Sequence, residues 1–588
     1  MVFAFLAMLF GSWQRWTSMI VDFGRETDLP LRIMNGEMLY RDIHYIYPPL
    51  APYLNALIFW IFGPHLNTLV GIGIFFSAIL TFLCYRIAIR IMPPLGASIA
   101  TSFIVVLCFF KPAGNLMLSY SFAGVQAAVF SLSAVVFVLR YAERKNKKDV
   151  VFAGVFVGLA AIAKQEFAFA AAVTMAAYLI YLHRRDFRAF AAELALAVVP
   201  ALIIAVPVFA LLFANIDAKT LIVDCHLFYT HIPDSLIFYN RFRSGTDYPL
   251  ASFIQMIGSA ALNVASVALL VLVSDRNGKL RTRTLLIFGF SAAVTAVVLY
   301  FFFYDWDGSP LRALPFLLFG TIFIEWRRRS KQLTGTYVAA ESNDETSHHL
   351  IFIVAVYSIA ILIRVVLRVP SGGFSGSFYL PTSLILITYW LIYLLPQYIG
   401  KWTADGLSLR RATRITAAIC ILAVTATGIS LIVKFRNKYG YRINARRGSL
   451  YGENYSAPVI DQALKFIEAN TQVGDFISVL PEGNDFAFMT GRRINFRHQV
   501  LIPDFLSQQD ELDAIEALKR GDVRYIFVPN RAMREFGAYE FGKDFYQTLG
   551  NWIEENYSVE KILGIEDGRE PVVGQPPFFI KIYKRKDQ

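Results

Sequence analysis

Acidic and basic side chains lie close to apolar sequence near the start of the chain. Residues 22–55 (DFGRETDLPLRIMNGEMLYRDIHYIYPPLAPYLN) follow the first apolar segment and begin with Asp22, Arg25 and Glu26. A carboxylate beside a bilayer is retained only when it is paired, hydrated or used, so such acids are functional candidates. Asp22 and Glu26 share one face if this stretch is helical. The alternative role of Asp22 is to cap the first turn of that helix, where acids are favoured.

The same loop contains further candidate residues. Asp42 either binds a ligand or pairs with Arg41 or Arg25 to fold the loop. His44 and Tyr47 carry flat rings that suit a sugar ring, and they suit the headgroup region of a bilayer equally well. Both alternatives stay open for each of these residues.

Two cations lie at the ends of apolar segments. Lys164 ends a helical pattern in Ile-Ala-Lys-Gln-Glu, and Arg312 follows a Gly-Ser-Pro turn. Buried cations are costly unless they meet an anion, so both residues predict an anion-binding site. The alternatives are that their long side chains reach back to the headgroups, or that Glu166 neutralises Lys164. Other candidate cations near the same side are Arg25, Lys111, Arg241, Arg243, Arg364 and Arg368.

The composition identifies the elements that must position these residues. Of the 588 residues, 56% are hydrophobic and only 17% are charged, and the mean hydropathy is +0.48. A soluble globular surface needs more charge than this, so the chain is predicted to be a polytopic membrane protein. Apolar windows of about twenty residues predict about thirteen spans, in a mainly helical bundle.

The basic residues predict the orientation of the spans. Loops rich in Lys and Arg remain cytoplasmic, and the basic clusters fall in alternate loops. These clusters are at residues 86–90, 140–148, 183–185, 276–283, 327–329 and 410–414. The intervening loops are then extracytoplasmic, and Arg312 lies just inside a span on that side; these loops are at residues 22–49, 111–120, 164–167, 215–252, 304–310 and 369–379. The expected location is a bacterial cytoplasmic membrane. Because the charge of +12 is distributed as a topology signal, nucleic-acid binding is not predicted.

The composition changes after residue 433. Residues 1–433 are predicted to form the membrane domain, with its first outer loop at 21–49. Residues 434–588 alternate short β-like runs with helical runs, which predicts a small extracytoplasmic α/β domain. Within it, Pro481-Glu-Gly-Asn-Asp485 is typical of a strand-to-loop edge, for which an acceptor-binding or structural role is favoured.

Metal ligands and disulfides are weakly indicated. The four cysteines form neither a disulfide framework nor a Cys-x-x-Cys pair. Asp224, His226 and His231 share one loop, but their spacing matches no closed metal site.

The first loop resembles that of the GT-C membrane glycosyltransferases, the superfamily of the protein O-mannosyltransferases and the lipid A aminoarabinose transferase. The residues that carry this resemblance are Asp22-Phe-Gly-Arg-Glu26, Gly36-Glu-Met-Leu-Tyr-Arg-Asp42, Tyr47-Pro-Pro-Leu50, residues 158–165 and residues 309–315. The aminoarabinose branch has Lys immediately before Pro-Pro-Leu. This chain has Tyr47 there, so the contact to the donor phosphate must lie elsewhere.

The resemblance implies an activity and a set of roles. It implies transfer of a sugar from a polyprenyl-phosphate donor to a glycan, lipid or protein acceptor, with inversion, on the extracytoplasmic side. It assigns the general base to Asp22, with Glu26 as substitute or helper. Because the phosphate is already a good leaving group, one carboxylate suffices. Lys164 and Arg312 are expected to hold the phosphate. No cofactor is required, and a divalent metal ion is compatible without being demanded.

Two other functions share this membrane architecture. One is a transporter or flippase of lipid-linked sugars, although transporters usually place polar residues at mid-membrane in broken helices. The other is a non-catalytic subunit for assembly of the cell envelope, in which the carboxylates near Asp22 would be replaceable.

Overall fold

The structure is a computed structural model. It describes residues 1–17, 19–110, 114–274, 310–333, 342–369, 373–397, 409–565 and 570–586. One of the predicted spans, at residues 284–303, lies outside these residues, as do the basic cluster at 276–283 and the candidate cation Lys111.

Helices form most of the first three quarters of the chain. In chain order they are α1 Val2–Gly11, α2 Phe23–Met34, α3 Leu50–Phe62, α4 Leu66–Ile91, α5 Pro94–Ile104, α6 Phe122–Arg144, α7 Lys147–Ala163, α8 Gln165–Leu182, α9 Phe187–Asn215, α10 Asp234–Ser244, α11 Pro249–Ser274, α12 Leu314–Leu333, α13 Ser342–Leu362, α14 Gly373–Tyr379, α15 Pro381–Tyr389 and α16 Leu409–Lys438. Short 3₁₀ or π segments lie at Val105–Phe109, Thr220–Asp224, Leu227–Tyr229, Pro310–Ala313, Ile363–Val365 and Trp390–Leu394.

Local sequence signals set several of these helix starts. The Ser121 hydroxyl accepts a hydrogen bond from the Gly124 amide at the start of α6, and the Asp186 carboxylate accepts one from the Ala189 amide at the start of α9. Both side chains satisfy amides that have no partner within the helix.

Among the described residues, six helices are long and apolar enough to cross a membrane. They are Leu66–Ile91, Phe122–Arg144, Gln165–Leu182, Phe187–Asn215, Thr346–Val365 and Thr413–Lys438. Shorter apolar helices lie at Val2–Gly11, Leu50–Phe62 and Pro94–Phe109. The total of about thirteen spans stays a prediction.

The two ends of the helical bundle differ in the loops that meet there. Helix α4 has 26 residues and is therefore about 39 Å long, so its ends are far apart. At its start, the Leu66 amide donates to the Arg447 carbonyl oxygen at 2.9 Å. Near its other end, Arg90 pairs with Glu143 of α6 at 3.1 Å. The start of α4 thus meets the carboxy-terminal part of the chain, while the basic clusters at 86–90 and 140–148 meet at the opposite end.

The carboxy-terminal part has an α/β architecture. Its strands are β1 Tyr441–Ala445, β2 Gly448–Gly452, β3 Ser478–Val479, β4 Tyr525–Pro529, β5 Tyr557–Leu563 and β6 Ile580–Arg585. Its helices are α17 Ala457–Asn470, α18 Asp485–Thr490, α19 Gln508–Arg520 and α20 Gln547–Asn556, with a 3₁₀ turn at Arg534–Phe536.

These strands form a hairpin and one mixed sheet. Strands β1 and β2 pair antiparallel, and the sheet has the order β3-β4-β6-β5. Only β3 and β4 run parallel among these pairs; β6 is antiparallel to both β4 and β5. The prediction of a mainly helical membrane protein with a carboxy-terminal α/β unit is confirmed. The sequence analysis did not predict the hairpin, β5 or β6.

The helical and α/β parts share a continuous buried core. Phe59 of α3 stacks on Phe488 of α18, with ring centroids 6.0 Å apart. Arg32 of α2 donates to the Phe496 carbonyl oxygen at 2.6 Å. The α/β unit therefore packs directly on the first loop, which contains Asp22.

Candidate functional site

Helix α2 places Asp22 at its amino-terminal boundary. Asp22 occupies the N-cap position, but its side chain makes no capping hydrogen bond. Its backbone is in the left-handed region, with φ of 62°. A non-glycine residue is strained there and needs support from its surroundings. Asp22 therefore occupies the capping position of α2 without making the side-chain hydrogen bond of a cap.

The Asp22 carboxylate is partly accessible. Its side chain is 29% exposed, and Oδ1 lies 3.6 Å from Arg25 Nη1. The Arg25 guanidinium also donates to the Tyr120 carbonyl oxygen at 2.5 Å. Arg25 is thereby held between the first loop and the loop before α6, where its charge faces Asp22.

Glu26 has a different environment from Asp22. It is buried, and its Oε2 accepts the Phe122 amide at 3.0 Å while its Oε1 accepts Arg25 Nε at 3.3 Å. Burial raises the pKa of Glu26, and Arg25 and the Phe122 amide oppose that shift. Because both oxygens are engaged, Glu26 anchors α2 to the start of α6, which leaves Asp22 as the more accessible carboxylate.

Tyr47 connects the Asp22 region to Lys164. The centroid of its ring lies 5.9 Å from Arg25 Cζ and 4.6 Å from Lys164 Nζ. Both distances allow cation–π attraction. Lys164 thus reaches the position immediately before Pro48-Pro49, although it belongs to the junction of α7 and α8.

Lys164 is buried and has an anionic partner. Its residue surface is 2% exposed, and Nζ lies 3.5 Å from Glu166 Oε1. Snorkelling to the headgroups is therefore the wrong alternative for Lys164, and pairing with Glu166 is observed.

Glu166 organises the groups around Lys164. Its oxygens accept hydrogen bonds from the Tyr379 hydroxyl at 2.7 Å and the Tyr229 hydroxyl at 3.1 Å, and Arg364 Nη1 lies at 3.4 Å. Two cations and two hydroxyls thus surround one carboxylate at the end of the bundle. These contacts hold Glu166 in place, and Glu166 in turn holds Lys164. Lys164 is only one of the four groups that share the Glu166 carboxylate.

Helix α10 covers the side of this cluster. Its Asn240 accepts a hydrogen bond from Arg364 Nη2 at 2.7 Å, and its Tyr239 stacks on Phe536 of the α/β unit at 5.2 Å. Burial raises the pKa of Tyr239, with Asp22 among the further causes of this shift. Arg243 lies over the Tyr239 ring at 5.2 Å, so it reaches the edge of the site.

Asp42 and His44 lie away from this cluster. Asp42 pairs with Arg41 at 2.8 Å and accepts the Met38 amide at 2.8 Å, so it folds its own loop. The hydrogen bond from Arg41 is the main reason that the pKa of Asp42 is lowered. His44 is buried and stacks on His498 at 4.5 Å, and burial lowers its pKa well below the usual value. His44 therefore packs against the α/β unit as a neutral ring.

The structure also buries Arg312. It lies in the short segment Pro310–Ala313, where the Ala313 amide donates to Ser259 Oγ of α11 at 3.1 Å. The segment that contains Arg312 therefore packs against α11. A role of Arg312 in a site with Asp22 and Lys164 stays a prediction.

Sequence reasoning missed the connection between Asp22 and the α/β unit, which Glu482 makes directly and Arg531 supports. Glu482 Oε1 accepts the Asp22 amide at 2.5 Å, and Glu482 Oε2 pairs with Arg531 Nε at 3.1 Å. The sequence singles out the motif Pro481–Asp485, but the contact between Glu482 and Asp22 joins residues that are 460 positions apart. No local signal in the sequence indicates such a pairing.

Gly24 allows α2 to approach the α/β unit closely. A Cβ at this position would lie 2.7 Å from the backbone N of Asn484 and 2.9 Å from that of Asp485. These atoms cannot rotate away as a side chain could, so the substitution must separate α2 from α18.

We expect Gly24→Ala to lower both the thermal unfolding midpoint and the activity of the full chain in detergent. Overpacking of this kind costs about 1–3 kcal/mol. Gly71→Ala is the matched control, because a Cβ there meets nothing within 4 Å. Equal midpoints for the two variants would contradict the close packing.

The described parts of the chain hold no group of three or more His, Cys, Asp or Glu side chains arranged to bind a metal ion. Asp224, His226 and His231 therefore do not form such a set.

A family model matches part of the chain. The model described as dolichyl-phosphate-mannose-protein mannosyltransferase matches residues 47–210. This range begins at Tyr47 and includes Lys164 and Glu166. None of the curated proteins compared with the chain is significantly similar to it.

The chain is similar to several solved structures, and the two described with a TM-score of 0.50 share its fold. The Archaeoglobus fulgidus oligosaccharyltransferase in complex with Zn and sulfate is 14% identical, with a TM-score of 0.50, covering 90% of this chain and 67% of that chain. The same enzyme tethered to an acceptor peptide is 12% identical, with a TM-score of 0.50 and coverages of 95% and 72%. ArnT from Cupriavidus metallidurans bound to undecaprenyl phosphate is 13% identical, with a TM-score of 0.45 and coverages of 99% and 96%.

Proposed function

We propose that the chain is a membrane glycosyltransferase of the GT-C type, which transfers a sugar from a polyprenyl-phosphate-linked donor to an acceptor; the mannosyltransferase family model that matches residues 47–210 supports this proposal. One observation carries this proposal: the partly exposed Asp22 carboxylate pairs with Arg25, and Arg25 and the buried Lys164 both face the ring of Tyr47. An acid connected in this way to two cations matches a reaction that deprotonates one group and releases a phosphate.

In the proposed reaction, Asp22 accepts the proton of the acceptor hydroxyl as its oxygen attacks the anomeric carbon. The bond between that carbon and the phosphate oxygen breaks, and the polyprenyl phosphate leaves with the electron pair. Attack opposite the leaving group inverts the anomeric centre. Because phosphate is already a good leaving group, no acid is needed to protonate it.

Lys164 holds the phosphate in this proposal, with Arg364 and Arg25 nearby. A buried cation stabilises the charge that develops on the departing phosphate more strongly than an exposed one would. Tyr47 offers its ring to the sugar while it keeps Lys164 in position. Arg312 is proposed as a further phosphate contact, and Asp42 and His44 as residues that shape the loop.

The donor lipid is supported by the family description and by an apolar surface on the helix that follows Tyr47. Helix α3 begins three residues after Tyr47 and exposes Leu57, Trp60 and Phe62. These side chains form a lipid-facing surface on which a prenyl chain can lie.

The domains take separate roles in this proposal. Residues 1–433 bind the donor in the membrane, and residues 434–588 select the acceptor and complete the site. The site faces the extracytoplasmic side of the cell membrane, as the basic loops predict. The acceptor is a glycan, lipid or protein.

The test is a transfer assay with the purified full chain in lipid nanodiscs. The donors are a panel of undecaprenyl-phosphate hexoses and pentoses, and the acceptor is a solubilised envelope fraction from cells that lack the protein. We expect release of undecaprenyl phosphate, measured by mass spectrometry, and restoration of a surface glycan missing from those cells. Unchanged surface glycans together with no release from any donor would contradict the proposal.

A further inference from the structure

Asp22 has a backbone conformation that other residues must maintain. Its φ of 62° and ψ of −23° lie in the left-handed region, and its side chain makes no capping hydrogen bond. A non-glycine residue persists in this region only when its surroundings hold it there. The direction of the Asp22 carboxylate follows from this backbone conformation.

The contact that holds the Asp22 backbone comes from the α/β unit. Glu482 Oε1 accepts the Asp22 amide at 2.5 Å. Glu482 is 4% exposed, so this hydrogen bond is shielded from water. A hydrogen bond to an ionised acceptor in such surroundings is stronger than a bond between neutral groups.

The sheet topology explains why Glu482 is in this position. Strands β3 and β4 are parallel neighbours, with Val479 opposite Phe527. Glu482 follows the carboxyl end of β3, and Arg531 follows the carboxyl end of β4. The two side chains therefore meet at the same edge of the sheet, where Arg531 Nε lies 3.1 Å from Glu482 Oε2.

Arg531 is itself fixed by a second carboxylate. Its Nη2 donates to Glu535, and its Nη1 donates to the Ala532 carbonyl oxygen at 2.7 Å. A series of polar contacts thus connects the 3₁₀ turn of the α/β unit to the start of α2. It passes from Glu535 through Arg531 and Glu482 to the Asp22 amide.

We propose that Glu482 is a positioning residue for Asp22, and that the carboxy-terminal α/β unit thereby completes the active site. This inference rests on the proposed function. Glu482 touches the backbone of Asp22 and takes no proton from the substrate. Its role is to keep the left-handed conformation that turns the Asp22 carboxylate toward the acceptor.

The electrostatics around Glu482 give this role a measurable signature. Burial raises the pKa of Glu482 to about 7, while Arg531 lowers it and Asp22 raises it. Asp485 of α18 is a further neighbouring acid, and Glu535 faces Arg531. As the pH rises through about 7, Glu482 ionises and becomes the stronger acceptor for the Asp22 amide. Activity is therefore expected to rise through that pH.

The experiment compares Glu482→Gln, Glu482→Ala and Arg531→Gln in the nanodisc transfer assay between pH 5.5 and 8.5. Glu482→Ala is expected to lower kcat ten- to a hundredfold, with unchanged binding of undecaprenyl phosphate. Glu482→Gln keeps an acceptor oxygen, so it is expected to retain more activity and to lose the rise near pH 7. Glu468→Ala is the control, because Glu468 is exposed on α17.

Arg531→Gln provides an independent readout. Because Arg531 lowers the pKa of Glu482, its removal is expected to move the rise in activity to higher pH. A loss of folding alone would lower activity at every pH and would not move the profile. Wild-type kcat and pH profiles in all three variants would overturn the inference, as would a uniform loss in each without any change of profile.

The two proposals fail differently. If Asp22→Asn is inactive while the Glu482 and Arg531 variants behave like wild type, only the positioning role of Glu482 is wrong. If Asp22→Asn retains full activity, the proposed function itself is wrong.

Discussion

Replacement of Asp22 with Asn is expected to lower kcat by about 10²–10⁴, which is the usual contribution of a general base. Asn has nearly the same shape and leaves the amide that binds Glu482 unchanged. It cannot accept the proton of the acceptor hydroxyl. Binding of undecaprenyl phosphate is therefore expected to be unchanged, because the phosphate contacts belong to Lys164 and its neighbours. Initial rates in the transfer assay and lipid binding by native mass spectrometry measure the two effects separately.

Asp513→Asn is the matched control for this prediction. Asp513 is exposed on α19 and accepts a hydrogen bond from Gln509 within the same helix. The Asp513→Asn substitution makes the same chemical change away from the site, so we expect this variant to transfer sugar at the wild-type rate. Full sugar transfer by Asp22→Asn would contradict the general-base role. Lipid-linked sugar movement without transfer would instead support the flippase alternative.

Replacement of Lys164 with Met is expected to lower kcat/KM about 10²–10³-fold, comparable to the loss of one charge-stabilising group from an active site. Met fills most of the space of the lysine stem and removes the charge. Glu166 retains Arg364 and the hydroxyls of Tyr229 and Tyr379, so the cluster keeps three partners. Unlike Asp22→Asn, this variant is expected to bind undecaprenyl phosphate more weakly.

Lys219→Met is the control for the loss of a lysine. Lys219 is exposed after α9, and it lies in the loop predicted to be on the same side of the membrane. Its replacement is expected to leave both affinity and rate unchanged. Undiminished lipid affinity in Lys164→Met would exclude Lys164 as a phosphate contact and would move attention to Arg364 and Arg312.

Much of the fold could be predicted because its signals are local. An apolar window of about twenty residues predicts a membrane helix without any knowledge of its neighbours. Alternating basic loops predict which loops share a side, and the structure brings residues of these loops together, as in the hydrogen bond from Tyr379 to Glu166. Strands β5 and β6 were not predicted, because their stability depends on pairing with distant residues.

The sequence indicated which residues belong to the candidate site more reliably than it indicated which other residues they contact. Charged side chains next to lipid are costly unless they are paired or used, which singled out Asp22, Arg25 and Lys164. The structure brings these three residues together around Tyr47. Their catalytic roles remain predictions. His44 was considered for the same site, yet the structure packs it on His498 at 4.5 Å. Residue type and spacing do not reveal the direction in which a loop side chain points.

Local chemistry along the chain was therefore enough to indicate a helical membrane protein and to single out a candidate acid in its first loop. The folded arrangement was needed to show that Lys164 reaches Tyr47 and that Glu482, 460 positions away, holds the Asp22 amide. The physical reason is that hydrophobicity and charge act on each segment separately, whereas hydrogen bonds between distant segments exist only after these segments have packed. The left-handed backbone of Asp22 is such a consequence of packing, and its support comes from the other end of the chain.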